Sequence, residues 1–256
     1  YSFKISNNDN FDFLALCDLQ QPYNLESHKL IKKLKEINNK ANMIVCSGDL
    51  ITTAAYENEW SWLLDTDEVF DGVTFSSSVG DHEYWGENTG HGIPMLKRPE
   101  TFNHLFNNPK NGCLECLNTN YYIIRNNTLF VFLDMGDSNT NYGEIFDKQV
   151  EWFRNITKAL KEKYSHIIVV AHKSLYGSLN IDSSVTRLIT PLWVKEFDID
   201  GLRLDVAYML DHDFMRRLRD FCDSKKEDFF LVGEVLHGEY GRIIESRTDF
   251  DFSVLF

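Results

Sequence analysis

Met43-Ile-Val-Cys-Ser-Gly48-Asp49 is a short apolar run cut off by a glycine and a carboxylate. Such a run, bounded by a turn former, reads as a buried strand ending in a sharp turn. The same grammar occurs upstream, where Phe11-Asp-Phe-Leu-Ala-Leu-Cys17 stops at Asp18. It recurs downstream, where Val73–Val79 stops at Gly80-Asp81-His82-Glu83 and Ile167–Ala171 stops at His172. Helical patterns lie between these strands. From Ser27 the apolar residues Leu30, Ile31, Leu34 and Ile37 recur at helical spacing with lysines among them, Tyr56–Leu64 reads as a helix, and Phe146–Leu160 is amphipathic. Tyr121–Ile124 and Leu129–Leu133, separated by Arg-Asn-Asn-Thr, predict a hairpin. Residues 86–118 are rich in Gly, Pro and Asn and predict a long loop near a site. The alternation of strand and helix predicts an α/β fold with parallel strands. No internal repeat or low-complexity segment interrupts it.

Ligands of open α/β sheets gather at the carboxyl ends of the strands. One polar residue there is commonly a turn former. Four consecutive ends bearing Asp18, Asp49, Asp81-His82-Glu83 and His172 are all of metal-ligand type. Carboxylate oxygens suit hard divalent ions, and imidazole suits zinc, iron and manganese. Asp49, central in the series, can bridge two ions roughly 3.5–4 Å apart, a pair that polarises a phosphoryl group and activates water near neutral pH.

Composition narrows the partners. The 256 residues carry 39 Asp+Glu against 26 Lys+Arg, a formal net charge of −13. That balance argues against nucleic acid or an anionic membrane as the main partner. Hydrophobic residues at 43% and aromatics at 14% describe a globular chain, and no apolar run is long enough to span a bilayer. Tyr1 opens directly into polar sequence with no signal-peptide pattern, which points to a trimmed chain. The compartment stays open: Asn126-Asn-Thr128 and Asn155-Ile-Thr157 are glycosylation acceptors only in a secreted protein. Five cysteines leave at least one thiol unpaired or paired with another chain. Cys113-Leu-Glu-Cys116 has no second CxxC beside it, so a loop disulfide or two idle thiols outweigh a redox or metal pair.

Asp18-Leu-Gln20, Gly48-Asp49, Gly80-Asp81-His82-Glu83 and Val170-Ala-His172 together resemble the calcineurin-like metallophosphoesterases, including the purple-acid-phosphatase branch. The resemblance runs over about residues 11–193, with Tyr121-Tyr122, Leu133-Asp134, Gln149-Val-Glu-Trp152 and His172-Lys-Ser-Leu-Tyr176 as supporting details. It implies that Asp18 binds one metal, that Asp49 bridges both, and that Asp81, standing where the family has Asn, joins His172 on the second. It implies that His82 contacts the phosphate or protonates the leaving group, oriented by Glu83, and that Tyr176 lies in the substrate site. Gln20 stands where many members have His, and its amide oxygen can still coordinate. Thr52 stands where the purple branch has its tyrosine ligand, so no tyrosinate–iron centre is expected. The family closes its site with Gly-His-x-His followed by Tyr and Arg at alternate positions. Tyr240-Gly-Arg242 fits that tail, but Leu236 and Gly238 occupy the histidine positions and His237 is out of phase. The implied cofactor is two divalent ions of the iron, zinc or manganese type, or one if the missing imidazoles cost the other.

Between Trp193 and Tyr240 the character changes. Phe197-Asp-Ile-Asp-Gly-Leu-Arg203-Leu-Asp205-Val-Ala207 is similar to the nucleophile strand of the alpha-amylase family of glycoside hydrolases, and Phe229-Phe-Leu-Val-Gly-Glu234-Val to the strand with its general acid. The resemblance implies Asp205 as nucleophile, Glu234 as acid, and Arg203 keeping Asp205 ionised. The spacing leaves room for a helix at Asp211–Asp223 and hence a βαβ unit, whose parallel strands would carry both carboxylates to one sheet edge. The segment lacks the rest of an eight-unit barrel and a third carboxylate.

These readings predict a single 1–256 phosphoesterase-like α/β sandwich, chimeric in look, with an amylase-like βαβ insert at about 194–239 replacing its later part and Phe250–Phe256 as a closing strand. The expected activity is metal-dependent hydrolysis of a small phosphoester, weakened by the missing histidines. Two alternatives stay open: a non-catalytic α/β scaffold, and a retaining alpha-glucan-active glycosidase using Asp205 and Glu234. Substrate identity and oligomeric state are left open.

Overall fold

A computed structural model describes residues 12–20, 26–64, 70–86, 96, 98–116, 118–134, 136, 142–172, 201–204, 212–226, 229–235 and 252–255. The first sheet is parallel, in the order β1 (Leu14–Leu16), β2 (Met43–Cys46), β3 (Thr74–Ser77). Helices α1 (Glu26–Ile37) and α2 (Glu57–Leu64) make its crossovers. The second sheet is mixed: β4 (Tyr121–Arg125) runs antiparallel to β5 (Thr128–Phe132), and β6 (His166–Val170) is parallel to β5. The β4–β5 hairpin turns on Asn126 and Asn127, both at positive φ (45° and 63°), the pair of left-handed residues that a two-residue turn matched to strand twist requires.

Side-chain alternation sets the layers. In β2, Ile44 and Cys46 point into a core with Ile31 of α1 and Trp60 and Leu63 of α2, while Met43 and Val45 point the other way. Those two meet Tyr121, Phe130, Phe132 and Val170, which fill the space between the sheets. Leu129, Val131 and Leu133, on the opposite face, pack with Val150 and Phe153 of α4 (Tyr142–Ala159). The result is helix, sheet, sheet, helix. All four β2 residues are buried because both faces are covered, which is why its sequence is a continuous apolar run and not an alternating one. Tyr121 Oη ties the sheets by donating to the Ser77 carbonyl at 2.9 Å.

One expectation is corrected. Residues 86–118 are not simply a loop: Glu100–Leu105 form a helix, α3, and Leu114–Cys116 a 3-10 turn. Phe102 of α3 is fully buried in the first core, and that apolar anchor outweighs the Gly, Pro and Asn around it.

The later segment forms β7 (Gly201–Leu204), α5 (His212–Asp223) and β8 (Phe230–Val235), with the two strands parallel. β7 lies beside β6. β9 (Phe252–Leu255) pairs in parallel with the other edge of β8. Leu218 and Cys222 of α5, Phe229, and Leu231 of β8 join the same core as α4, so the segment packs against the second sheet.

Candidate metal centre

Three carboxyl ends of the first sheet and one of the second converge. Asp18 and Asp49 have positive φ (50° and 54°), which turns the chain sharply as it leaves the strand. Gly48, at φ 101°, makes the second turn possible, and a Cβ there would lie 2.5 Å from the Gly80 nitrogen. Asp18, Asp49 and His172 each offer one atom within 4.8 Å of the others. His172 Nε2 lies 3.3 Å from Asp49 Oδ2 and 3.3 Å from Asp81 Oδ1. Asp49 and His172 are buried, and Asp18 is partly so, with the Cys17 thiol donating to its carboxylate. Three negative oxygens about one imidazole, largely out of water, repel one another unless a cation joins them.

Gln20, two residues beyond Asp18, carries an orphaned side-chain oxygen. Its Oε1 is buried with no hydrogen-bond partner among the described residues. A sheltered amide oxygen without a donor is unfavourable by roughly 1–3 kcal/mol, and a cation would satisfy it. The donor set is therefore rich in oxygen with one imidazole, and it fits a divalent ion of the hard to borderline type.

Around this cluster the backbone is tightly held. Asp49 Oδ1 accepts from the His82 amide at 3.1 Å, and a Cβ on Gly80 would sit 2.0 Å from that same oxygen. His82 Nδ1 lies 2.6 Å from the Thr52 carbonyl, its ring rests 3.7 Å from that of Trp85, and its Nε2 is 3.7 Å from Asp49 Oδ2. A carbonyl only accepts, so Nδ1 carries the hydrogen and Nε2 is the exchangeable end.

The reading of Glu83 as the residue that orients His82 is corrected. Glu83 is fully buried, and its carboxylate oxygens bond to backbone amides and not to the imidazole. Its Oε2 accepts from the amides of Asp49 (3.0 Å) and Gly80 (2.5 Å), and its Oε1 from Leu50 (2.7 Å). Glu83 thus clamps the two strand-end turns together, and the Thr52 carbonyl and Trp85 position His82. Burial, then the neighbouring Asp49 carboxylate, push Glu83 up to about 7 against the pull of the Gly80 and Leu50 amides and His172. Trp85 and Glu83's clamp carried no sequence signal beyond adjacency to His82. Tyr84 also escaped notice; its hydroxyl donates to Asp134 at 2.7 and 2.8 Å and joins the His82 turn to the second sheet.

Tyr176, Asp205, Tyr240 and Arg242 lie outside the described residues. Arg203 and Glu234 lie on β7 and β8, whose register pairs Leu204 with Gly233, the residues just before Asp205 and Glu234.

The chain belongs to the calcineurin-like phosphoesterase family: that family's model matches residues 8–203. Among solved structures, purple acid phosphatase PPD1 from yellow lupin (Lupinus luteus) seeds superposes with a TM-score of 0.55 at 16% identity, over 76% of this chain and 38% of that one, which shows a shared fold. A second similarity is short. Cyclomaltodextrinase of Geobacillus thermopakistaniensis (strain MAS1) is 45% identical over 49 residues, 19% of this chain and 8% of that protein. Intracellular maltogenic amylase of Bacillus subtilis (strain 168) is 47% identical over 45 residues, 18% of this chain and 8% of that protein. The chain spans under a tenth of these relatives' length. A calcineurin-like phosphoesterase sandwich and an amylase-like segment are thus joined in one chain. No described helix is long and apolar enough to cross a membrane.

Proposed function

We propose that the protein hydrolyses a small phosphoester with the help of divalent metal. The observation that carries this is the meeting of Asp18, Asp49 and His172 at ligating distance from strands on two different sheets. Asp18, Asp49, Gln20 and His172 would hold an ion, and Asp81, beside His172, would serve a second where one is bound. Such ions supply Lewis-acid polarisation of phosphoryl oxygens and activation of water. Asp49 is fixed for its part by the His82 amide, and Glu83 holds the turns that set its direction. His82, with Nδ1 committed to Thr52, presents Nε2 to give a proton to the leaving-group oxygen. The partner class is a small phosphoester, with neither nucleic acid nor membrane called for by a −13 chain.

The test is twofold. Dialysis against manganese or zinc followed by elemental analysis should give one to two ions per chain, and the loaded protein should hydrolyse an aryl phosphate. Metal-free protein after loading would overturn the proposal.

The amylase-like relatives favour one second reading, hydrolysis of an alpha-glucan through Asp205 and Glu234. β7 and β8 are parallel and pair Leu204 with Gly233, the residues just before Asp205 and Glu234, and a retaining pair needs two carboxyl groups close together. Hydrolysis of an aryl α-glucoside that disappears in Asp205→Asn would support it.

A further inference from the structure

The Cys113-Leu-Glu-Cys116 motif takes no part in the metal centre, and its geometry is specific. The Cys116 amide donates to the Cys113 carbonyl at 3.1 Å, closing a single turn. A closed turn of this kind keeps its end Cα atoms within about 7 Å, the span that a disulfide can bridge. The turn is pinned on both sides. The Cys113 amide donates to Asn120 Oδ1 at 2.8 Å, and Asn120 Nδ2 donates to the Phe132 carbonyl of β5 at 2.9 Å. Glu115 pairs with Lys148 of α4 at 2.9 Å. The turn lies at the surface, since Leu114 is 81% exposed, and both cysteine side chains are tucked just beneath it. No cysteine is held in a disulfide, and among the described ones only Cys113 and Cys116 stand within three positions of each other and hydrogen-bond through their side chains. No third His, Cys, Asp or Glu among the described residues completes a metal site with them.

We propose that Cys113 and Cys116 are a dithiol–disulfide redox pair, oxidised by low-molecular-weight disulfides such as oxidised glutathione. The Cys113 thiolate attacks one sulfur of oxidised glutathione, forming a mixed disulfide and releasing one glutathione thiolate, which takes up the proton Cys113 lost. The Cys116 thiolate then attacks the Cys113 sulfur, closing the internal disulfide and releasing the second glutathione. Two protein thiols lose two electrons and two protons, and one glutathione disulfide becomes two thiols. The order follows from the hydrogen bond: the Cys116 thiol donates to the Cys113 sulfur and favours its thiolate, which holds Cys113 below the usual thiol range. The pinned turn keeps the second sulfur in place for closure, so the intramolecular step outruns release of the adduct.

The full chain is equilibrated in glutathione buffers from fully reduced to fully oxidised, quenched with acid, labelled with maleimide under denaturing conditions, and digested. The expected result is a peptide carrying both residues that loses two hydrogens and two maleimide labels as the oxidised fraction rises. Cys17, Cys46 and Cys222 keep theirs. In Cys116→Ala, folded by circular dichroism, glutathione should stay on Cys113. Full labelling of Cys113 and Cys116 at every ratio in the wild-type chain would overturn the proposal. So would a glutathione adduct on the wild-type chain that never closes. The wild-type measurement decides the matter even if the variant fails to fold.

Discussion

Gly80→Ala adds one methyl group beside the metal centre without removing any ligand. The new Cβ would stand 2.0 Å from Asp49 Oδ1, 2.8 Å from its Cγ and 2.8 Å from its backbone nitrogen. Non-bonded heavy atoms rest at ~3.5 Å, so the carboxylate must retreat by about 1.5 Å. It cannot retreat cheaply, because Oδ1 is held by the His82 amide and the Asp49 amide by Glu83. Metal–ligand distances tolerate only ~0.2 Å. A displaced central ligand should therefore weaken ion binding at least ~100-fold, or roughly 2.8 kcal/mol. At an ion concentration ~100 times the wild-type Kd, binding stabilises the fold by about 2.7 kcal/mol, and by only ~0.4 in the variant. At ~2–4 °C per kcal/mol for a chain of this size, the manganese-induced rise in Tm should shrink by roughly 5–9 °C. Differential scanning calorimetry with and without manganese measures this directly. An undiminished rise in Gly80→Ala would refute the claim that Asp49 is a ligand held by this packing.

Asp49→Asn should abolish most aryl phosphatase activity while Asp205→Asn leaves it nearly unchanged; steady-state kinetics on both variants check this. Gln20→His replaces an amide oxygen with imidazole and should tighten zinc binding about tenfold or more relative to manganese, measured by isothermal titration. Glu83→Gln puts an amide nitrogen against backbone N–H groups that need acceptors, and should destabilise the fold by roughly 2–4 kcal/mol in urea unfolding. The metal-loaded protein should be colourless, because Thr52 brings no phenolate; an absorption band in the visible after iron loading would contradict that.

The strands that frame the site were legible because each is a short apolar run stopped by Gly-Asp, Asp or His, and covering both sheet faces demands such runs. The hairpin was legible from Asn126-Asn127, residues that tolerate left-handed φ. The ligand types at four strand ends were legible for the same local reason. Other features depended on groups far apart in the chain. His172 ends a strand of the second sheet and Asp49 one of the first, and only the packing of Phe130 and Phe132 against Met43 and Val45 brings them to 3.3 Å. Glu83 looked like a partner for the imidazole next to it. Its neighbours in space are the amides of Gly80 and, 34 and 33 residues away, of Asp49 and Leu50, and a buried carboxylate goes where unsatisfied N–H groups are. Residue type and turn position are local properties, so the sequence determined which side chains stand at the site. Which of them meet, and which atom each one faces, is decided by long-range burial and hydrogen bonding, which only the folded chain provides.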